Sequence, residues 1–336
     1  MATTFRPSTP ADRPALSKLL ADVFGSPPES SLLDPAVMNW KYWDARPDFA
    51  DPRSYVLESD GSMVGHVALL PLEYQGVRGV HMIDWAASRT SPGAGISMVQ
   101  RLMRMVDYIV AIGGSDTTRK VLPAFGFKEV AQTWEAARPL NAVRQIATHQ
   151  TRNWKLAVRL VRNSMWAIAP LVSPPAEWGI QEIAAADAGP TPGAHAFPRS
   201  GAFFEYLSRC PTARFRVFRL TRSGEAAGCV LLSMVRGQVR IAGVWVADAS
   251  EEAYRAVFAL AQRVARRTSG AAELAAKGVE GASERAAIAA GLRIVAKAPV
   301  FVLDKKGVFA RPPEFQFQLI DDDGAFLDVG RANYLT

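Results

Sequence analysis

The feature that most constrains the fold is a repetition between the two halves of this 336-residue chain. Gly61 and Gly65 stand four residues apart before the apolar run HVALL, and Gly224 and Gly228 have the same spacing before CVLL, 163 residues later. Three further pairs recur at offsets of 166, 160 and 165 residues: Trp40 with Tyr206, Trp85 with Trp245, and Gly126 with Gly291. Landmarks that recur in the same order at nearly constant spacing indicate the duplication of one structural unit. The sequence therefore predicts two similar domains.

The first half has the pattern of a mixed α/β domain. It predicts a strand, two helices, three strands, a glycine-containing turn with a helix, a strand, a helix and a final strand. The three consecutive strands are expected at 55–58, 63–72 and 77–87, separated by glycine-containing hairpin turns. We expect two tandem α/β (α+β) domains, each a mixed, mostly antiparallel twisted sheet flanked by helices, and we divide the chain accordingly: N-terminal domain 1–138, basic helical linker 139–175, C-terminal domain 176–310, and tail 311–336.

The tail begins near residue 311 and contains three consecutive aspartates, Asp321, Asp322 and Asp323, followed by Gly324. Adjacent carboxylates can suggest a metal site, but the ligand spacing of such a site is missing here. We therefore expect a solvated turn.

The stretch from His81 to Ser97 carries the main chemical signal. An apolar strand ends at a Ser-Arg-Thr-Ser-Pro turn, and Gly93 and Gly95 then lead into a helix with apolar residues at three- and four-residue steps. The first N–H groups of a helix lack an intrahelical partner and lie at the positive end of its dipole, and glycine lets a polyanion approach the main chain. The stretch predicts a phosphate-binding turn, although glycine at such a junction also serves purely steric purposes.

Composition narrows the classes of function. The net charge of +7 favours an acidic partner, but no nucleic-acid-binding motif accompanies it, so we expect no nucleic-acid partner. Cys210 and Cys229 lack the spacing of a disulfide framework or a metal site, and no metal is expected. With a polar N-terminus and no apolar run of about 18 residues, the sequence predicts a cytoplasmic protein without stable membrane insertion.

The linker contains a basic amphipathic segment, TRNWKLAVRLVRNSMWAIAP. Its apolar residues alternate with four cations: Trp154, Leu156, Val158, Leu160 and Val161 stand among Arg152, Lys155, Arg159 and Arg162. A membrane-surface helix has this pattern, and so does a linker helix that buries its apolar stripe against a neighbouring domain. We favour the linker helix because most amphipathic helices bury that stripe against protein.

The order of elements resembles the GNAT superfamily of N-acetyltransferases over about 135 residues, and the second half resembles a diverged second copy. The AFGF turn after the second helix resembles the family's closing turn, and WKYW followed by YVLESDGSMVGHVAL resembles a GNAT subgroup that often occurs in tandem. The resemblance implies acetyl-CoA or another acyl-CoA as the donor, with pantetheine between the fourth and fifth strands. It implies that the donor is bound by backbone groups of Ala86, Ala87, Ser88, Gly93, Ala94, Gly95, Ile96 and Ser97.

Several residues depart from the family's pattern. Pro92 replaces a charged or amide side chain of the usual turn, so Arg89 and Arg101 are the nearest compensating cations, and Leu122 stands where a tyrosine often acts as general acid. The corresponding helix start of the second half contains four polar or acidic residues that repel a polyanion: Asp248, Ser250, Glu251 and Glu252. We therefore expect coenzyme A to bind only the first copy.

Acyl transfer needs a group that removes a proton from the acceptor. Asp84, a carboxylate inside an apolar strand next to the expected cleft, is the first candidate for the base, and His81 is the second. Acceptor contacts are assigned to Trp40, Tyr42, His66 and Trp85. Trp43 is a further candidate, and a plain core role is favoured for at least two of the four aromatic residues. Ser115 and Asp116 are expected to cap a helix.

We therefore predict an acyltransferase that moves an acetyl or other acyl group from acyl-CoA to an amine or hydroxyl of a small-molecule or sugar-type acceptor. Two alternatives stay open: a non-catalytic acyl-CoA-binding sensor or scaffold, and a Fem-like aminoacyl transferase, which also pairs two such domains. The sequence does not decide between a monomer and a homodimer.

Overall fold

The structure is a computed structural model, and it describes residues 3–114, 116–148, 154–193, 196–309, 315–330 and 332–336. The first six strands within these ranges are β1 (Thr3–Pro7), β2 (Ser54–Ser59), β3 (Ser62–Tyr74), β4 (Val77–Ala87), β5 (Tyr108–Ile112) and β6 (Lys128–Pro139). Six more follow: β7 (Trp178–Ile183), β8 (Arg214–Arg222), β9 (Glu225–Val235), β10 (Gln238–Val246), β11 (Glu273–Val279) and β12 (Arg293–Asp304).

The α-helices of the described residues are α1 (Arg13–Phe24), α2 (Pro35–Met38), α3 (Ala94–Leu102), α4 (Asp116–Val121), α5 (Ala142–Ala147), α6 (Trp154–Ile168), α7 (Gly201–Ser208), α8 (Glu251–Arg267) and α9 (Ala282–Ala289). The expected cap of α2 is confirmed, since Asp34 Oδ1 accepts from the N–H of Ala36 at 2.7 Å. From α2 the chain continues into a π-helical turn, Asn39–Trp43, closed by the N–H of Asp44 on the Asn39 carbonyl. Ser115 lies outside the described residues, as does the side chain of Asp116.

All twelve strands form one sheet in the order β1-β2-β3-β4-β5-β12-β6-β11-β10-β9-β8-β7. From one edge of the sheet toward its centre the strands follow in the order β1 to β5, and from the other edge in the order β7 to β11. At the centre the last strands of the two halves, β6 and β12, are exchanged. β12 pairs with β5, β6 pairs with β11, and β6 and β12 pair with each other, all antiparallel. Each half therefore completes its sheet with a strand from the other half, and the two halves form one interlocked body.

Strands β4 and β5 separate after a short parallel contact. Their pairing is limited to Gly79–His81 with Tyr108–Val110, although β4 continues to Ala87. The second half repeats this arrangement, since β10 and β11 pair only from Gln238 to Ile241 with Glu273–Ala276. Each half therefore contains a wedge between its two parallel strands.

The two faces of the first half are covered by different helices. Met82 and Ile109 belong to a buried cluster with Met98 and Val99 of α3. Ile83, the next residue along β4, belongs to a cluster with residues of α1 and α2: Leu16, Leu20 and Met38. Because successive strand residues point to opposite faces, α3 lies on one side of the wedge and α1 and α2 lie on the other.

The pseudo-equivalent residues Trp40 and Tyr206 meet where the two halves join. Their rings stack with centroids 5.0 Å apart. Trp40 Nε1 donates to the Tyr206 carbonyl at 3.2 Å, and Tyr206 Oη donates to the Trp40 carbonyl at 2.5 Å. This reciprocal pair is what a pseudo-twofold relation between duplicated halves predicts.

Tyr206→Phe should lower the free energy of unfolding by about 1–3 kcal/mol, because the hydroxyl also accepts from buried Arg53 Nη1 at 2.7 Å and its loss leaves polar groups unsatisfied. Urea unfolding followed by circular dichroism measures the change. Tyr334→Phe is the matched control, since that hydroxyl makes a more exposed hydrogen bond of 3.2 Å. Equal losses in the two variants would contradict a special role for the Trp40–Tyr206 contact.

The aspartates of the tail are not a solvated turn, so that prediction was wrong. Asp321 and Asp322 are 1% and 7% exposed. Asp321 pairs with Arg199 at 2.7 Å, Asp322 with Lys277 at 2.5 Å and Asp323 with Lys41 at 3.2 Å. The three cations come from distant parts of the chain, and this is why the sequence alone pointed to solvent. The ion pairs hold the tail against the sheet.

The linker contains α5 and α6, and α6 buries only part of its apolar surface. Leu156 and Leu160 are half-buried, as expected. Trp154, Val158 and Val161 are 74%, 57% and 61% exposed, so the expectation that the whole stripe is buried was wrong. Within the described residues, no helix is long and apolar enough to cross a membrane.

Candidate active site

The turn before α3 presents two N–H groups without a backbone acceptor among the described residues. Gly93 adopts φ +86°, which favours glycine, and places the following N–H groups at the helix start. The N–H of Ala94 bonds to the Ser91 carbonyl at 3.2 Å, and that of Ser97 bonds to the Gly93 carbonyl at 2.9 Å. Among the described residues, the N–H groups of Gly95 and Ile96 have no backbone acceptor.

Trp85 extends this donor surface. Its indole covers Gly95 so closely that a Cβ there would lie 3.3 Å from the ring. The indole Nε1 is buried and has no hydrogen-bond partner within the described part of the chain. A buried donor without a partner is uncommon in a native protein. The geometry therefore fits an anionic or carbonyl-bearing ligand at the α3 end of the wedge. Arg101 lies one turn further along α3, 3.5 Å from Ser97 Oγ.

The backbone N–H groups at the end of β4 are less available. Ala86 and Ala87 lie in the ladder opposite His66 and Gly65 of β3. The N–H of Ser88 donates to the Val64 carbonyl at 2.8 Å. Ser88 is therefore not a free donor for a thioester carbonyl.

Asp84 has an unusual backbone conformation. It has φ +47°, at the point where the pairing of β3 and β4 shifts register between His66 and Ala68. A non-glycine residue in this region costs about 1–3 kcal/mol and persists only where its surroundings hold it. β-Bulges of this kind redirect side chains next to functional sites.

The side chain of Asp84 is held by two neighbours from the π-helical turn. Tyr42 Oη donates to Asp84 Oδ2 at 2.7 Å, and Lys41 Nζ lies 2.7 Å from the same oxygen. Lys41 also contacts Asp323, so two carboxylates share one ammonium.

Burial and charge act on the pKa values of this cluster. Burial alone lowers the pKa of Lys41, but the charges of Asp84 and Asp323 outweigh it and the pKa is raised. Burial and the charge of Asp84 both raise the pKa of Tyr42 well above its usual value. Lys41 is therefore a cation and Tyr42 a neutral donor at physiological pH.

A chain of hydrogen bonds fixes the backbone of Asp84. His66 Nδ1 lies 3.2 Å from the Asp84 carbonyl, and its Nε2 lies 2.9 Å from Ser54 Oγ. Ser54 Oγ in turn accepts from Ser8 Oγ at 2.6 Å, and Ser8 accepts from Trp43 Nε1 at 2.9 Å. Burial lowers the pKa of His66 to about 3, so the ring is neutral and its two nitrogens act as one donor and one acceptor.

His81 and Trp40 lie apart from this cluster. His81 is 3% exposed, its Nδ1 contacts the Asp321 carbonyl at 3.0 Å, and burial lowers its pKa to about 4. Trp40 is 3% exposed in the contact with Tyr206. The structure thus brings together Asp84, Tyr42 and His66, and places Trp85 with the α3 turn.

Sequence reasoning missed Lys41, Ser54 and Asp323. Lys41 had one signal, since it is a lone cation within the aromatic run WKYW. Ser54 had no signal, and Asp323 was interpreted as part of a solvated turn, because both roles depend on contacts between distant parts of the chain. Within the described residues, no group of three or more His, Cys, Asp or Glu side chains is arranged to hold a metal ion.

The wedge of the second half is filled by the chain itself. Gln318 Oε1 accepts from the N–H of Val244 on β10, and Gln316 Oε1 accepts from the N–H of Val279 on β11 at 3.3 Å. At the start of α8, Ser250 Oγ accepts from the Ala253 N–H at 3.2 Å, followed in the first turn by Glu251 and Glu252. Side chains of this half therefore occupy N–H groups of its own wedge, and Gln318 Nε2 is a buried donor without a partner among the described residues.

Comparison with known proteins identifies the fold. No model of a known protein family matches the chain, and no curated protein matches it. Several solved structures do match the chain. A GCN5-related N-acetyltransferase from Anabaena variabilis has a TM-score of 0.56 at 10% identity, over 90% of this chain and 72% of that one. A putative acetyltransferase from Pyrococcus horikoshii has a TM-score of 0.53 at 12% identity, over 98% and 96%.

A tandem GNAT protein from the clavulanic acid biosynthesis pathway has a TM-score of 0.54 at 13% identity, over 90% of this chain and 99% of that one. The chain therefore has the fold of the GCN5-related N-acetyltransferases in its tandem form. The predicted resemblance and the predicted fold class are confirmed. At these identities the likeness concerns the fold alone.

Proposed function

We propose that the first half binds an acyl-CoA and transfers its acyl group to an amine or hydroxyl of a small-molecule or sugar-type acceptor. The observation that carries this proposal is the difference between the two wedges. The first retains unused donors at Gly95, Ile96 and Trp85, whereas Gln316 and Gln318 fill the second. In the described part of the chain, the N–H groups of Gly95 and Ile96 at the helix start of the first wedge have no backbone acceptor, whereas Ser250 Oγ caps the helix start of the second.

The donor is held at the α3 end of the wedge. The N–H groups of Gly95 and Ile96, at the positive end of the α3 dipole, receive phosphate oxygens. Arg101 supplies a cation in place of the one that Pro92 lacks. The thioester of an acyl-CoA supplies an activated carbonyl carbon and a thiolate leaving group.

The acceptor approaches from the side of α1 and α2, where Asp84 and Tyr42 lie. The acceptor nitrogen or oxygen forms a bond to the acyl carbon, the carbon–sulfur bond breaks, and the proton of the acceptor passes to Asp84. Lys41 and Tyr42 hold the carboxylate in position.

Gly95→Asp should weaken acetyl-CoA binding by about 10- to 100-fold, because it places an anion and a side chain beside the N–H groups of the turn. Isothermal titration calorimetry with acetyl-CoA measures the change. Gly95→Ala separates size from charge. Gly189→Asp is the control, since a Cβ at that exposed glycine meets no atom within 4 Å. Unchanged affinity in Gly95→Asp would place the donor elsewhere.

A non-catalytic acyl-CoA sensor is the second candidate. The contacts of Asp84 favour it, because Lys41 Nζ and Tyr42 Oη, each at 2.7 Å, already occupy the Oδ2 atom of the carboxylate. A sensor would be stabilised by acetyl-CoA in a thermal melt while a panel of primary amines and amino sugars released no free thiol. Thiol release with any member of the panel would exclude this candidate.

A further inference from the structure

Helix α6 presents an apolar face directly to solvent. Five side chains between 57% and 77% exposed follow each other at steps of three and four residues: Trp154, Val158, Val161, Met165 and Ile168. This spacing places them on one side of the helix. The opposite side faces the protein, where Ala167 is 8% exposed and buried Asn163 donates to Gln145 Oε1 at 2.8 Å. The helix is therefore anchored by one side and leaves the other uncovered.

The surroundings of this face are positively charged. The sequence contains no Asp or Glu between Glu135 and Glu177, and α6 itself carries Lys155, Arg159 and Arg162. Seen along the helix axis, Arg159 and Arg162 lie on one flank of the apolar face. Two further cations approach from other elements, since Arg266 donates to the Ala167 carbonyl at 2.6 Å and Arg293 lies 4.5 Å from the Trp166 ring.

We propose that the exposed face of α6 binds an anionic membrane surface, with the helix lying in the plane of the lipid headgroups. An apolar face bordered by arginines, with tryptophan at one end, is the arrangement of interfacial helices. The charge is complementary to anionic lipid. The inference is independent of the proposed acyl transfer.

A second copy of the chain fits this face less well. The helix is about 22 Å long, and one such stripe is small beside the roughly 800 Å² that each partner buries in a stable interface. A symmetric contact would also bring the arginines of the two copies together. A membrane surface has neither disadvantage.

Sedimentation with vesicles tests the proposal. The full chain should bind phosphatidylcholine vesicles that contain phosphatidylglycerol, bind pure phosphatidylcholine at least about tenfold more weakly, and be released by high salt. Val158→Glu combined with Met165→Glu should reduce binding to the anionic vesicles at least about tenfold. Because both side chains are mostly exposed, the variant should keep its folded circular dichroism spectrum.

Met105→Glu combined with Ile288→Glu is the matched control. It makes the same charge change at residues 48% and 53% exposed outside α6, and it should bind like the unmodified chain. Trp154 gives a second readout, because vesicles should shift the emission to shorter wavelength and Trp154→Phe should remove that shift. The proposal is overturned if the chain does not bind anionic vesicles, or if the α6 variant binds as well as the control. A dimer that the α6 variant dissociates, without vesicle binding, would also overturn it and assign the face to a second copy.

Discussion

Lys41→Met is expected to lower the free energy of unfolding by about 3–5 kcal/mol, because it leaves buried carboxylates without their cation. The ammonium lies 2.7 Å from Asp84 and 3.2 Å from Asp323, and the side chains of Lys41 and Asp84 are 5% and 8% exposed. Methionine keeps most of the length of the lysine side chain. The decrease in the free energy of unfolding is therefore caused by removal of the charge rather than by a large cavity. Urea unfolding measures it.

The control is Arg285→Met, which breaks an ion pair with Glu251 whose side chains are 63% and 46% exposed and should cost no more than about 1 kcal/mol. Adding Asp323→Asn to Lys41→Met should restore part of the loss, since one of the uncompensated carboxylates is then neutral. Similar losses for Lys41→Met and Arg285→Met would mean that the shared ammonium does not hold the tail on the sheet.

Asp84→Asn is expected to lower kcat by about 10²- to 10⁴-fold, because an amide cannot accept the proton of the acceptor. Asparagine is well suited as the test. Among non-glycine residues it is one of the most tolerant of φ +47°, and its carbonyl oxygen can still accept from Tyr42. Thiol release from acetyl-CoA in the presence of an accepted primary amine or amino sugar measures kcat.

Acetyl-CoA affinity is the internal control for Asp84→Asn. The donor turn lies on the α3 side of the wedge and Asp84 contacts the α2 side, so calorimetry should show unchanged donor binding. Asp84→Gly, which relieves the backbone strain but removes the acceptor of Tyr42, should be equally inactive. Activity within about threefold of the unmodified chain would remove Asp84 from the reaction.

The sequence predicted the elements that depend on local patterns. The strands expected at 55–58, 63–72 and 77–87 appear as β2, β3 and β4, each longer by zero to three residues. The repeat predicted that Trp40 and Tyr206 occupy equivalent positions in the two halves. It did not predict that the two rings contact each other. Periodicity and turn residues are local signals, so one sequence contains them.

What the sequence did not predict depends on contacts between distant residues. The exchange of β6 and β12 does not change which side chains of each strand face the core and which face away. The sequence pattern within either strand therefore does not reveal which strand it pairs with. Asp321 looked solvent-exposed because its partner Arg199 lies 122 residues earlier. The bond between His66 and the strained Asp84 carbonyl likewise depends on the register shift of β3 against β4.

The exchanged strands determine when the sheet around the donor wedge can be completed during synthesis. The outer edge of β5 is covered by β12, in which Val300 pairs with Ile112, so residues far apart in the chain must meet before that edge is closed. A nascent N-terminal half exposes an unpaired strand edge until residues up to Asp304 have left the ribosome. The sheet that carries the wedge is therefore completed late, and the first half depends on the second for its final strand.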